Sequence, residues 1–206
     1  MLKNKTALSL SPLALLTLAA CGGSKSSGVA VNGQAQNGPL TDAWAFLDLH
    51  HGAVGSATEH GDGIFNSAAD IAGGITEVRA LTNVDKASTA SVDESGTFGL
   101  TDLGVSNFTL AIETTAATMD SVSGEAYGAG VTLKAPEGAT MVTPATTMVT
   151  AIMIADNVSA EDAMADVAVA LGFDKDLDLN NFDAYKAPTG TALEIAAAKT
   201  VQFAMQ

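Results

Sequence analysis

The chain has 206 residues, with 23 acidic against 9 basic side chains and a formal charge of −14. So acidic a body is repelled by phosphate backbones and anionic headgroups, which argues against nucleic acid as a partner. A hydrophobic share of 47 % with only 16 % charged residues supplies a core, so wholesale disorder is excluded.

Residues 1–20 have the three parts of a secretory signal: a basic end (Lys3, Lys5), an apolar middle and small residues before a cut. The middle, Ala7 to Leu18, is broken by Ser9, Ser11, Pro12 and Thr17. It falls short of the roughly 20 apolar residues that a membrane-spanning helix requires. Leu18-Ala19-Ala20-Cys21 closes the segment, and Cys21 is the only cysteine. Small side chains at Ala19 and Ala20 suit a peptidase that grips extended backbone beside the scissile bond. These four residues resemble the lipobox of bacterial lipoproteins. The resemblance implies a diacylglyceryl group on the Cys21 thiol, cleavage before Cys21 and, in many Gram-negative bacteria, a further acyl chain such as palmitate. At about 0.8 kcal/mol per buried methylene, one chain holds marginally and two or three hold firmly. Gly22 stands where aspartate would retain an enteric-type lipoprotein at the inner membrane, so the expected place is the outer membrane, in the periplasm or at the surface. Removing residues 1–20 takes away Lys3 and Lys5 and moves the charge from −14 to −16. With Cys21 acylated, no disulfide within the chain remains available.

Residues 21–28, the cysteine and Gly-Gly-Ser-Lys-Ser-Ser-Gly, read as a flexible tether. Residues 29–140 carry mostly β signals, starting at Val29-Ala30-Val31. Asn37-Gly38-Pro39-Leu40 is turn chemistry. In Ala43–Leu49, Trp44 and Phe46 share one face while Ala43, Ala45, Leu47 and Leu49 share the other, as suits an inner strand. His50 to Gly74 is rich in Gly, Ala and Ser and reads as a long loop with a short helix near Phe65–Ile71. Further strands are predicted at Ile75–Thr82, Ala87–Val92, Thr97–Leu100, Asn107–Glu113 and Gly130–Lys134. Asp93-Glu94-Ser95-Gly96 reads as a hairpin turn with its glycine at positive φ. Short strands with Gly/Asn/Asp punctuation predict a mainly β fold, an Ig-like or prealbumin-like sandwich.

Residues 141–206 change pattern to a small helical subdomain. Thr143-Pro144 is a helix start, with threonine as N-cap and proline at the first position. Ala145, Met148, Val149, Ile152 and Met153 follow at helical spacing. Ser159 opens a second helix with Asp162 in the capping-box position, and Ala163, Met164, Val167, Ala168 and Leu171 make its stripe before Gly172 stops it. Thr191-Ala-Leu-Glu194 opens a third. That helix continues through Ile195, Ala198 and Val201 and ends at Gln206, with Val201, Phe203 and Met205 near the end and no stop signal, as in a piece of a longer surface protein.

Asn37–Leu49 and Val92–Leu100 together resemble the "G-P-L-x-x-A-x-V-x-L-D … T-D-x-x-G-x-F" pattern. It belongs to prealbumin-like, carboxypeptidase-regulatory-like and Sdr B-like β-sandwich modules of bacterial surface proteins. Met141–Val149, with Leu171-Gly-Phe173 and Asp178–Asp183 after it, is similar to a "V-T-P-L-T-T-L-V" helical segment of large Gram-negative adhesins. The resemblance implies a structural or adhesive role with an envelope or extracellular protein or glycan as partner, often with calcium. Where relatives carry an Asp/Asn-Gly calcium loop, this chain reads Leu49-His-His-Gly-Ala-Val-Gly55, which lacks most of the oxygen ligands.

Asp174, Asp176 and Asp178 alternate as in the first half of an EF-hand loop, but Leu179 replaces its glycine and Tyr185 its closing glutamate. Leu177 and Leu179 facing inward, with the acids solvated, accounts for the same spacing. His50, His51 and His60, the only histidines, share a glycine-rich loop with Glu59 and Asp62. Imidazoles ligate zinc or copper, though adjacent histidines on extended chain point apart. Serine-nucleophile elbows, phosphate loops and dinucleotide fingerprints are missing from the sequence. The sequence therefore predicts a non-enzymatic, lipid-anchored cell-envelope protein without a dedicated cofactor. The alternative is a metal- or small-ligand-binding lipoprotein using the His50–Asp62 loop or the acidic 174–180 loop.

Overall fold

The computed structural model describes residues 31–36, 38–50, 61–73, 77, 79–82, 96–100 and 107–184, with Ala192 and Ile195. Nine strands and three helices lie among them: β1 (Val31–Ala35), β2 (Leu40–Thr41), β3 (Trp44–Leu49), α1 (Ala68–Gly73), β4 (Arg79–Leu81), β5 (Thr97–Leu100), β6 (Phe108–Glu113), β7 (Met119–Asp120), β8 (Thr132–Ala135), β9 (Met141–Val142), α2 (Pro144–Asp156) and α3 (Ala160–Ala170). The fold is β-rich, as expected, with its longer helices at the C-terminal side. None of the helices among the described residues is long and apolar enough to cross a membrane.

The strand expected at Ala43–Leu49 is β3, an inner strand of the antiparallel sheet β4-β3-β6-β8. Trp44 pairs with Glu113, Phe46 with Ala111 and Asp48 with Thr109 across to β6. A second sheet, β5-β1-β9, pairs β1 antiparallel to β5 and parallel to β9. β2 and β7 form a separate two-stranded ladder. One apolar cluster joins Ala35, Phe98, Leu100 and Val142 of the three-stranded sheet to Ala45, Leu47, Leu110, Ile112 and Leu133 of the four-stranded one. Each large aliphatic or aromatic side chain buried there contributes about 1.5–3 kcal/mol.

The expected strand at Ala87–Val92, Asp93 to Ser95 of the expected hairpin turn and most of the third helix lie outside the described residues. Gly96 is described, with φ +79°; a Cβ there would stand 2.7 Å from the Ala35 carbonyl oxygen, so only glycine fits.

The helix starts are formed as their sequences predict. Thr143 Oγ1 accepts from Thr146 N at 3.1 Å, and Thr146 Oγ1 accepts from Thr143 N at 2.8 Å, a reciprocal cap with threonine in the usual Glu position. Thr146, with its neighbour Thr147, also binds the outer side of β8. Lys134 N donates to Thr147 Oγ1 at 2.8 Å, and Thr146 Oγ1 lies 2.8 Å from the Lys134 carbonyl oxygen. Helix hydroxyls thus satisfy backbone groups that an edge strand would otherwise leave to solvent or to another chain. Ser159 caps α3 by accepting from Asp162 N. Gly172, at φ +79°, ends α3 in a Schellman turn, with Phe173 N donating to Ala168 O and Gly172 N to Val169 O.

The predicted stripes of α2 and α3 meet around Val149, Ala163, Val167 and Ala168, with Leu179 and half-buried Leu177 closing the cluster from the following loop. That loop returns to the sheet. Thr140 N and Met141 N both donate to Asn180 O, and Gln36 Nε2 donates to Asp183 Oδ1 at 2.7 Å. The helices therefore lock onto both sheets through α2–β8 and the 180–183 return.

Candidate functional site

Of the candidates read from sequence, Cys21, His51 and His60 lie outside the described residues. His50 follows β3. Its backbone N–H donates to Asn107 O, and its Nε2 lies 2.9 Å from Thr109 Oγ1. It lines a groove of about 150 Å³ with Phe108, Pro136, Glu137, Met153 and Ile154 among its walls. Asp62 uses Oδ1 to accept from Ile64 N, two residues on.

The acidic loop puts its carboxylates to local use. Asp174 Oδ1 accepts from Asp176 N, Asp178 Oδ1 accepts from Asn180 N, and Asp178 Oδ2 accepts from Asn181 Nδ2. Lys175 pairs with Asp176, and the four residues from Asp174 to Lys175, Asp176 and Asp178 are exposed. The carboxylates shape the turn that buries Leu179. Among the described residues no three His, Cys, Asp or Glu side chains converge to hold a metal ion.

A denser set of polar groups lies on the face of the four-stranded sheet turned away from the shared core. Strand alternation places Trp44, Phe46 and Asp48 of β3 there, with Thr109 and Ala111 of β6, Lys134 of β8 and Arg79 of β4 in register beside them. Residues 61–73 cover this face. The Phe65 ring meets the fully buried Phe46 edge-on, with centroids 5.6 Å apart. Gly61 and Gly63, at φ +76° and +78°, run so close that a Cβ on the first would overlap the Asp48 carboxylate at 2.3 Å, and one on the second would meet Lys134 Cε at 2.7 Å.

Carboxylates hold this cover down. Asp48, fully buried, accepts from Gly63 N at 2.7 Å and pairs with Lys134 Nζ at 3.2 Å, both through Oδ2. Burial raises its pKa and the Asp62 charge adds to this, against the opposing pull of Lys134 and the Gly63 N–H. Glu77, 2 % exposed, is the bolt between cover and strand. Its Oε1 accepts from Leu49 N at 3.0 Å and its Oε2 from Asn66 N at 2.8 Å, while its own N–H donates to Asn66 Oδ1. Burial pushes the Glu77 carboxyl up to about 7; the two backbone N–H groups oppose this, and the Asp70 and Asp48 charges add to it. Asp70, also buried, closes a reciprocal cap with Ser67 at the start of α1.

At the β4 end of the same face, the Arg79 guanidinium lies over the Trp44 ring at 4.0 Å and the Phe65 ring at 4.5 Å. Arg79 is the only arginine in the chain and Trp44 the only tryptophan.

Neither the clamp nor the stack was singled out from sequence. Asp48 sits mid-pattern in an apolar strand, and Glu77 and Arg79 alternate in the next, which reads as a solvated face. The one available signal was Gly61-Asp62-Gly63, two glycines flanking an acid just before an aromatic. No family model, curated protein or solved structure matches this chain.

Proposed function

We propose that this chain is a lipid-anchored, non-enzymatic protein of the bacterial cell envelope, most consistent with the outer membrane, whose body is a β-sandwich with a structural or display role. The observation that carries the reading is Leu18-Ala19-Ala20-Cys21 closing a basic-then-apolar segment, with no second cysteine in the chain. The apolar cluster shared by β5, β6 and β8 supports the sandwich, since two sheets that contribute to one core pack face to face. The carboxylates around Asp48 and Glu77 support a holding role over a catalytic one, because Glu77 commits both oxygens to backbone amides. The exposed ends of such a body would meet an envelope or extracellular protein or glycan.

Expression of the full chain in a Gram-negative host tests the anchor. The wild-type protein is expected in the detergent-soluble membrane fraction, and Cys21→Ser in the soluble fraction. Equal membrane retention of both would overturn the reading.

A further inference from the structure

We propose that Arg79 is the carboxylate-binding group of an open recognition site on the outer face of the four-stranded sheet, taking a carboxylate with an apolar flank from a protein partner. This goes beyond the envelope reading and stands whether or not Cys21 carries lipid. The chain has 23 acidic side chains, yet among the described residues its only arginine is paired with none. Arg79 is exposed, and its contacts are the faces of Trp44 and Phe65. These cation–π contacts engage the charge of the guanidinium without supplying an acceptor oxygen to its N–H groups, and its N–H fork matches a carboxylate with two parallel hydrogen bonds. The stack also fixes the side chain before any ligand arrives, so little rotamer freedom is left to lose on binding.

The rings are themselves anchored. Phe65 rests edge-on against buried Phe46, and the segment carrying it is bolted to β3 through Asn66 and Glu77. The half-buried Trp44 and Phe65 rings offer apolar surface beside the charge. The net charge of −14 selects among anions. A polyanion would meet long-range repulsion from the whole body, whereas a single carboxylate on an apolar group feels mainly the local cation. Those features favour an acidic side chain or a C-terminal carboxylate of a protein.

Trp44 provides the readout, because it is the only tryptophan and touches the proposed group. Full-length protein is titrated with N-acetyl-leucine, with N-acetyl-leucinamide and with glucuronate while Trp44 fluorescence is followed. N-acetyl-leucine is expected to give a saturable change in the millimolar range, with the amide at least ~10-fold weaker because it lacks the second acceptor oxygen. Arg79→Gln should abolish the response. Arg79→Lys, which keeps the charge and loses the fork, should weaken it by about 10-fold with an unchanged circular dichroism spectrum. No saturable change with N-acetyl-leucine, equal responses to acid and amide, or an unaltered Arg79→Gln titration would each overturn the proposal. Glucuronate binding more tightly than N-acetyl-leucine would overturn the protein partner in favour of an acidic glycan.

Discussion

On the inner face of β3, Ala45 and Leu47 pack into an apolar cluster shared with the other sheet. On the outer face, one residue along, Trp44, Phe46 and Asp48 lie under a segment held by carboxylates, backbone amides and one lysine. The inner face is non-directional burial, which tolerates changes of pH and responds to volume. The outer face is a small aromatic contact around buried charges, whose balance depends on which of them carry a proton. One strand therefore has two stabilities, and different perturbations reach each.

Removing volume from the inner face has the largest expected effect. Leu110→Ala, at a side chain 1 % exposed between β3 and β8, should cost about 2–5 kcal/mol. Urea unfolding should show a lower midpoint with unchanged slope and little difference between acid and neutral pH. A cost that varied strongly with pH would mean that the two faces do not separate in this way.

Breaking the outer clamp comes next. Lys134→Met leaves the Asp48 carboxylate buried without its cation and should cost about 2–3 kcal/mol at neutral pH. That is below the cost for a fully buried pair, because Lys134 is 19 % exposed and Asp48 can take up a proton instead. Adding Asp48→Asn to the same chain should recover most of the loss, since the amide oxygen still accepts from Gly63 N. Additive losses in the double variant would contradict a charge origin.

The inner face was legible in sequence and the outer largely was not, for physical reasons. Alternation marks β3, β5, β6 and β8 because a buried sheet face requires apolar residues two apart, whatever covers them. Thr143, Ser159 and Gly172 could be read because helix ends have strong local chemistry. Two-residue strands such as β2, β7 and β9 are too short to show a period. The parallel pairing of β1 with β9 joins residues over a hundred positions apart, which no local pattern encodes. The Thr146 and Thr147 hydroxyls were legible as part of a helix start, but their second role at the β8 edge depends on where α2 docks. Asp48 and Glu77 look like solvated acids until the 61–73 segment is placed over them, and Arg79 looks like an ordinary surface cation until Phe65 arrives beside Trp44. For the His50 loop and the acidic 174–178 run, residue type pointed to ligands. Among the described ones, His50 lines a groove wall and Asp174 and Asp178 accept hydrogen bonds within turns.

Glu77 offers the most direct test that proton occupancy governs the outer face while burial governs the inner. Its folded pKa of about 7 lies above the ordinary glutamate value of 4.5, so the folded state holds the proton more tightly than the unfolded chain. The resulting stability is complete below the unfolded value and is lost as pH rises through 7. Between about pH 5.5 and 7.5 this linkage amounts to about 2 kcal/mol. The measurement is the urea-unfolding free energy across that window for wild type and Glu77→Gln. The account predicts that wild-type stability falls by about 2 kcal/mol as pH rises and that Glu77→Gln stays nearly flat. Identical pH profiles for the two proteins, or a wild-type profile that rises towards alkaline pH, would contradict it.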